Sequence, residues 1–314
     1  MERTSYANGK LLITGEYLVL EGATALAVPT IPGQEMSIVA GREPGILHWQ
    51  SFYNDSIWFE ARYSFPEMKV LETSDQERAG FVQGILKETL RLRDLGTGGP
   101  GDIETLRTGD GIKITSRLGF HPDWGLGSSS SLIYNLATLF GIDPFKLFFN
   151  TQAGSGYDIA CASSNKPLLY RLLEGKPEYK TIDFHPPFTD KMALVYSGRK
   201  QSSEESVDKY RASGLHREIE KGSISAITRE IINTHDHGEF MVMLNEHEKI
   251  ISRVLGLPTI KAARFADFPG SIKSLGAWGG DFLLATAPID FNKIKSYFSR
   301  KGLETVFGWA ELIG

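Results

Sequence analysis

The sequence predicts a chain of mixed strands and helices, long enough for two modest domains or one large one, and three observations carry that reading. Strand-like apolar runs dominate up to about residue 65, helical spacing takes over from Gln76, and both patterns recur after a proline-broken stretch at Phe184-His185-Pro186-Pro187-Phe188. With 314 residues, the chain can bury a substantial core.

Taken in order, Leu11-Leu12-Ile13, Tyr17-Leu18-Val19-Leu20 and Ala25-Leu26-Ala27-Val28 read as short strands broken by turns around Thr14-Gly15-Glu16 and Gly22. Residues 38–65 are β-rich, with two runs separated by the turn formers Asn54-Asp55. Residues 76–95 take helical spacing, with Phe81, Ile85, Leu86 and Leu90 on one stripe. A loop at 96–101 follows, then a strand over 110–118. Gly125-Leu126-Gly127-Ser128-Ser129-Ser130-Ser131 opens a helical run over 132–140. Asp143-Pro144 and Gly154-Ser155-Gly156-Tyr157-Asp158 start two more helices. Beyond the proline break, 192–196 and 282–287 read as strands, and 203–210 and 223–233 as helices. The break divides the chain into 1–187 and 188–314.

Apolar residues make up 41% and charged residues 23%, an ordinary globular balance. A net charge of −4 without a long basic run argues against nucleic-acid binding. The single cysteine, Cys161, excludes an internal disulfide and a thiolate metal cluster. The N-terminus lacks the apolar core of a signal peptide, and no stretch has the length of a membrane span. The expectation is a soluble, cytoplasmic protein.

Three glycine-bearing segments are candidates for chemistry. Gly9-Lys10-Leu11-Leu12-Ile13-Thr14-Gly15-Glu16-Tyr17 sets a lysine at a strand and an acid in the turn after it; the plain alternative is a strand, a turn and a solvated lysine. The segment 125–130 runs into a helix, where glycines let backbone N–H groups converge on an anion and the helix start adds unsatisfied donors. A serine N-cap is the alternative there, yet four serines after Gly-x-Gly exceed what a cap needs. The third, Lys273-Ser274-Leu275-Gly276-Ala277-Trp278-Gly279-Gly280-Asp281, precedes an apolar strand and is either a close-approach loop or a tight hairpin. Asp158 stands at a helix start, where the dipole favours its ionised form.

Two other patterns are set aside. Gly96-Thr97-Gly98-Gly99-Pro100-Gly101 fits G-x-G-x-x-G but follows a helix, not a strand, and no Walker-type P-loop occurs. His235-Asp236-His237 and His247 read as a solvated helix face, not a metal site.

The order of these segments resembles the GHMP kinase superfamily: an early GK…GE, then GLGSSS opening a helix, then GSGYD, then GAWGGD. Within it, Gly154 to Ala160 followed by Leu169-Tyr170-Arg171, and the GGD ending at Asp281, are similar to the phosphomevalonate kinase branch. That resemblance implies a two-domain α+β fold, with an N-terminal domain like domain 2 of ribosomal protein S5 and a ferredoxin-like C-terminal domain. It implies an ATP-dependent small-molecule kinase, with phosphomevalonate as the first acceptor. The alternatives are mevalonate, a sugar or homoserine, or a catalytically silent ligand-binding relative.

By family position Gly125, Leu126, Gly127, Ser128, Ser129, Ser130, Gly276 and Ala277 would hold ATP, with Mg²⁺ at Ser129. Lys10 would neutralise the transferring group and Asp158 would orient the acceptor hydroxyl. Glu16, Tyr17, Ser202 and Ser203 would line the acceptor, and Arg171 and Lys200 are chosen by charge to hold its phosphate. The sequence departs from the pattern at Asp123-Trp124, where the branch carries a lysine, at Trp278, where a glycine is usual, and in having no acid between Asp143 and Asp158.

Overall fold

The structure is a computed structural model that describes residues 2–97, 111–199, 210 and 217–314. Its packing separates two compact units. The first comprises Met1–Gly9, Pro32–Pro122 and Gly127–Ser163; the second comprises Lys10–Ile31, Asp123–Leu126 and Ser164–Gly314. These units cross the chain several times, whereas the sequence division at 187/188 is a single cut.

In the first unit the strands run in the order β5-β4-β3-β6-β2, formed by Val70–Thr73, Ser56–Ser64, Ile46–Tyr53, Ile112–Leu118 and the later part of Ala25–Ala40. β1, Arg3–Thr14, pairs with β2. β3 pairs parallel with β6, Trp49 opposite Ile114, and antiparallel with β4, Trp49 opposite Ala61. Burial alternates along β3 and β6, so Leu47, Trp49, Ile112 and Ile114 share the covered face. Helices α1 (Gln76–Leu92), α2 (Ser128–Phe140), α3 (Pro144–Thr151) and α4 (Tyr157–Ala162) supply Val82, Ile85, Leu86, Ile133, Leu136 and Leu147 to the same core. Asp75 caps α1 by accepting from the Arg78 N–H, and Asp143 caps α3 ahead of its Pro144.

The second unit holds the first half of β2 paired with β7 (Leu168–Leu173), Leu26 opposite Leu169, and β8 (Lys176–Thr181) beyond it. It also holds a four-stranded antiparallel sheet in the order β10-β11-β9-β12, from Ser271–Leu275, Phe282–Thr286, Met192–Tyr196 and Val306–Gly308. β11 is buried at every position, which is why it reads as an unbroken apolar run. Helices α5 (Glu218–Asn233), α6 (His237–Leu255), α7 (Ile260–Arg264), α8 (Phe291–Arg300) and α9 (Trp309–Leu312) complete the unit. The architecture is α+β, a large mixed sheet and a small antiparallel one, as expected. No described helix is long and apolar enough to cross a membrane.

Three local expectations are corrected. Leu18–Glu21 is a 3-10 turn, not a strand: Tyr17 at φ 61° and Gly22 at φ 92° bend the chain at both ends, and the Gly22 N–H closes onto Leu18 and Val19. Phe81 is 38% exposed, because the buried stripe of α1 runs through Ala79, Val82, Ile85, Leu86 and Leu90, one position away. His247 does not face solvent; it is fully buried on α6. The helix expected over 203–210 and the end of the loop expected over 96–101 fall outside the described residues, apart from Tyr210.

Beneath α2 lies a buried polar knot. Ser131 Oγ donates to Gln34 Oε1 at 2.6 Å, Gln34 Nε2 donates to Ser116 Oγ at 2.6 Å, and Asn135 Nδ2 donates to the Gln34 carbonyl at 2.8 Å. These bonds fix the inner face of α2 against β2 and β6. Ser131→Ala leaves Gln34 Oε1 without its donor inside the core. It is expected to lower unfolding free energy in urea by about 1–3 kcal/mol.

Candidate functional site

Gly127 stands at φ 94° immediately before α2 and serves as its N-cap with no side-chain cap. The serines therefore do not cap the helix. Ser130 Oγ turns back to the Gly127 carbonyl at 3.0 Å, and Ser131 belongs to the knot below, while Ser129 is exposed. A first turn without a side-chain cap presents backbone N–H groups and the positive dipole end, the chemistry an anion needs. In the same unit Asp158 sits, half-buried, in the first turn of α4, behind Gly156 at φ 84°.

The residues just before Gly127 belong to the second unit and are held by it. The Lys10 N–H donates to the Leu126 carbonyl at 2.9 Å. Gly125 has φ 65°, and a Cβ there would come within 1.9 Å of Asp281 Oδ2 and 2.7 Å of its Cβ. Glycine is required at 125 on both counts. The Trp124 ring packs edge-on against Phe307 at 5.2 Å and Phe282 at 6.2 Å, and Tyr196 Oη donates to the Asp123 carbonyl at 3.2 Å. Asp123-Trp124, a departure from the family pattern, thus anchors this loop to the small sheet.

The third glycine segment is the β10–β11 hairpin, Leu275 opposite Phe282. Its amides are turned inward. The Gly279 and Gly280 N–H groups both donate to Ser274 Oγ, at 3.0 and 3.2 Å, and the Trp278 N–H donates to Tyr17 Oη at 2.7 Å. At its base Lys273, fully buried, donates to Glu16 Oε1 and to the Ser274 carbonyl. Burial lifts the Glu16 carboxyl above its ordinary range, against the opposing pull of Lys273.

His247 Nε2 accepts the Gly15 N–H at 3.0 Å. Burial, then the Lys273 charge, holds its imidazole well below its usual pKa, so it is neutral. The 3.3 Å approach of Glu16 Oε2 to that nitrogen is therefore no ion pair. The first and third glycine segments meet over this buried cluster.

No protein-family model matches the sequence, and no curated protein does. Solved structures match across the chain. The Methanococcus jannaschii mevalonate kinase superposes with a TM-score of 0.67 at 16% identity, covering 98% of this chain and 97% of its own. The Streptococcus pneumoniae phosphomevalonate kinase, in complex with phosphomevalonate and AMPPNP, gives 0.67 at 17%, covering 98% and 99%. The Lactococcus lactis galactokinase complexed with galactose gives 0.66 at 12%, covering 98% and 93%. The chain has the GHMP kinase fold.

On that fold the sequence-derived residues fall into two sets. Gly127, Ser128, Ser129, Ser130 and Asp158 lie in the first unit; Lys10, Glu16, Tyr17, Gly125, Leu126, Arg171, Gly276 and Ala277 lie in the second. Lys200, Ser202 and Ser203 lie outside the described residues. Arg171, exposed on β7, donates from Nε to the Gly22 carbonyl at 3.3 Å. Tyr17, 8% exposed, also packs its ring at 5.3 Å, tilted, against Tyr210, whose hydroxyl donates to Glu21.

Lys273, His247 and Glu248 form a cluster that the sequence patterns do not announce. One signal was available: Asp236-x-x-Glu239 marks a helix start, and Phe240, Leu244, His247 and Ile251 follow on one face. His247 falls on that buried stripe. Among the described residues, no group of three or more His, Cys, Asp or Glu could hold a metal ion.

Lys273→Met leaves the Glu16 carboxyl buried without its cation. It is expected to cost about 3–5 kcal/mol in urea unfolding at pH 7, with the double variant Glu16→Gln/Lys273→Met recovering more than half of the loss.

Proposed function

We propose that the protein is an ATP-dependent phosphotransferase acting on a hydroxyl of a small metabolite. The observation that carries this reading is the glycine–serine turn at the start of α2. Gly125 and Gly127 both adopt left-handed backbone, no side chain caps the helix, and the segment sits within a chain of GHMP kinase fold. The backbone N–H groups of Ser128, Ser129 and Ser130 would bind nucleotide phosphates, since charge neutralisation by preorganised donors is most of what phosphoryl transfer requires.

Mg²⁺ fits a site of this kind. It is usually held by one or two protein ligands together with substrate phosphates, and Ser129 offers an exposed hydroxyl at the helix start, with no carboxylate cluster among the described residues to demand a protein-only cage. Bound there with the nucleotide, it would offset charge on the phosphate oxygens. The acceptor hydroxyl oxygen bonds to the γ-phosphorus as the bond to the β–γ bridging oxygen breaks, releasing ADP. Asp158 orients that hydroxyl and takes its proton, while Lys10 offsets the negative charge of the transferring group.

For the acceptor we favour 5-phosphomevalonate. Support comes from Gly154 to Ala160, from Tyr170-Arg171, from the GGD ending at Asp281, and from the phosphomevalonate and AMPPNP bound by a neighbour of the same fold. The fold is shared with mevalonate kinase and galactokinase, so fold alone does not select among acceptors.

A coupled assay of ADP release across 5-phosphomevalonate, mevalonate, galactose and homoserine tests both levels. 5-Phosphomevalonate is expected to be turned over fastest; a faster reaction with mevalonate overturns the acceptor, and no ADP release with any acceptor counts against the activity. Asp158→Asn is expected to lower turnover ~10²–10⁴-fold with the fold intact by circular dichroism. Ser129→Ala should raise KM for Mg·ATP more than KM for the acceptor, as read from paired titrations.

A further inference from the structure

Tyr17 is held in a backbone conformation that its residue type avoids. It has φ 61° and ψ −52°, and the Leu18 N–H donates across it to the Glu16 carbonyl at 2.7 Å. That makes Tyr17 the centre of a γ-turn of positive φ, the rare and strained hand of that turn. Among the described non-glycine residues of the second unit, Glu174 also has positive φ, and it has a local reason. Glu174-Gly175 is the two-residue loop of the β7–β8 hairpin, between paired Leu173 and Lys176. Tyr17 sits in no such loop, and glycine would take its φ with less strain.

The surroundings fix that conformation from both sides. The Gly15 N–H is bonded to His247, Glu16 is tied to Lys273, and the Val19 N–H donates to the Gly15 carbonyl at 2.9 Å. Leu18 follows, fully buried. Strain persists only where neighbouring contacts over-determine it, and its use is read from the side chain it places. The Tyr17 ring packs against Tyr210, over whose own ring the Arg217 guanidinium lies at 4.3 Å. The Tyr17 hydroxyl oxygen accepts the Trp278 N–H at 2.7 Å, from a residue 261 positions further along the chain.

The loop it reaches has glycine at 276, 279 and 280, so its backbone has much freedom to lose on ordering. Its far half is held from within, by the Gly279 and Gly280 N–H groups on Ser274 Oγ. Its near half is held from the first glycine segment: the Gly276 N–H supports the ionised Glu16 carboxylate, and the Trp278 N–H meets Tyr17. We propose that Tyr17 is a positioning residue for the third glycine loop, and that the strained γ-turn is retained because it brings the phenol to the Trp278 amide. This role differs from the acceptor contact that family position gives Tyr17, and experiment separates the two. The effect on nucleotide use rests on the phosphotransferase reading, in which Gly276 and Ala277 hold ATP by family position; the hold on the loop does not.

Tyr17→Phe keeps the ring and the turn and deletes the accepting oxygen. Amide exchange followed residue by residue by NMR tests the hold directly. The Trp278 amide is expected to exchange ~3–10-fold faster than in the wild type, the scale of one lost neutral hydrogen bond. The Gly15 amide, bonded to His247, should keep its rate. KM for Mg·ATP should rise by the same ~3–10-fold, with KM for the acceptor changed less than about 2-fold. A Trp278 amide that exchanges at the wild-type rate overturns the proposal. So does the reverse kinetic split, a raised KM for the acceptor with KM for Mg·ATP unchanged, which gives Tyr17 the acceptor contact instead.

The strain has a readout of its own. Tyr17→Gly and Tyr17→Ala both delete the phenol, and only glycine relieves the γ-turn. Tyr17→Gly is expected to unfold at the higher urea concentration, although the freer unfolded chain of glycine ordinarily favours alanine. Equal midpoints, or a lower one for Tyr17→Gly, remove the strain and with it the proposal. Should Tyr17→Phe fail to fold, Tyr17→Gly supplies the exchange arm: its Trp278 amide should exchange faster than in the wild type, and a wild-type rate overturns the proposal. Faster exchange at Trp278 in a protein that forms no ADP from any acceptor would refute the phosphotransferase reading and leave this one standing.

Discussion

Much of the second unit depends on one buried contact, the ammonium of Lys273 against the carboxylate of Glu16. These residues are 257 positions apart in the chain, and both are shielded from water. A buried pair of this kind seldom adds stability over apolar residues of the same size, because desolvation consumes most of the Coulomb gain. Its value is in specifying arrangement. The contact ties the turn carrying Glu16 to the strand carrying Lys273, because parting them would leave either charge buried without its partner. Around that placement the Gly15 N–H finds His247 and the Trp278 N–H finds Tyr17. Two glycine segments from opposite ends of the chain become one structural piece.

The same logic accounts for the departures from the GHMP pattern. Trp124 would be an odd residue beside a turn built from glycine and serine alone. Its ring instead closes an aromatic group with Tyr196, Phe282 and Phe307 on the small sheet. Asp281, the acid ending the third segment, lies against Gly125, where any side chain would collide with it. Large side chains thus do the positioning, and the glycines provide the space into which those side chains fit. Trp278, bulky where a glycine is usual, uses its backbone N–H to reach Tyr17, a bond indifferent to what side chain it carries.

The fold also separates what is shared from what is particular. Proteins that bind mevalonate-type acceptors and galactose superpose on this chain over nearly its whole length at 12–17% identity. At such divergence the backbone persists because the pattern of buried positions persists, while the acceptor is selected by a few side chains that are free to change. An uncapped helix start can serve phosphate whatever the acceptor, since it binds through backbone groups common to every sequence.

Local patterns make a large part of this protein legible in its sequence. The alternation in β3 and β4, the stripe of α1, the Asp143-Pro144 helix start and the glycine–serine turn ahead of α2 depend on neighbours a few residues apart, and such neighbours are adjacent on the page. The order of the glycine segments carries the family resemblance for the same reason. Contacts made at long range are a different matter. Leu18–Glu21 has a strand's composition, yet two left-handed residues make it a turn. His247 looks like a solvated histidine in a polar run, yet packing places it in the interior beside Glu16 and Lys273. Whether a polar side chain is solvated, paired or held neutral depends on which distant residues surround it, and only the tertiary structure assembles those surroundings.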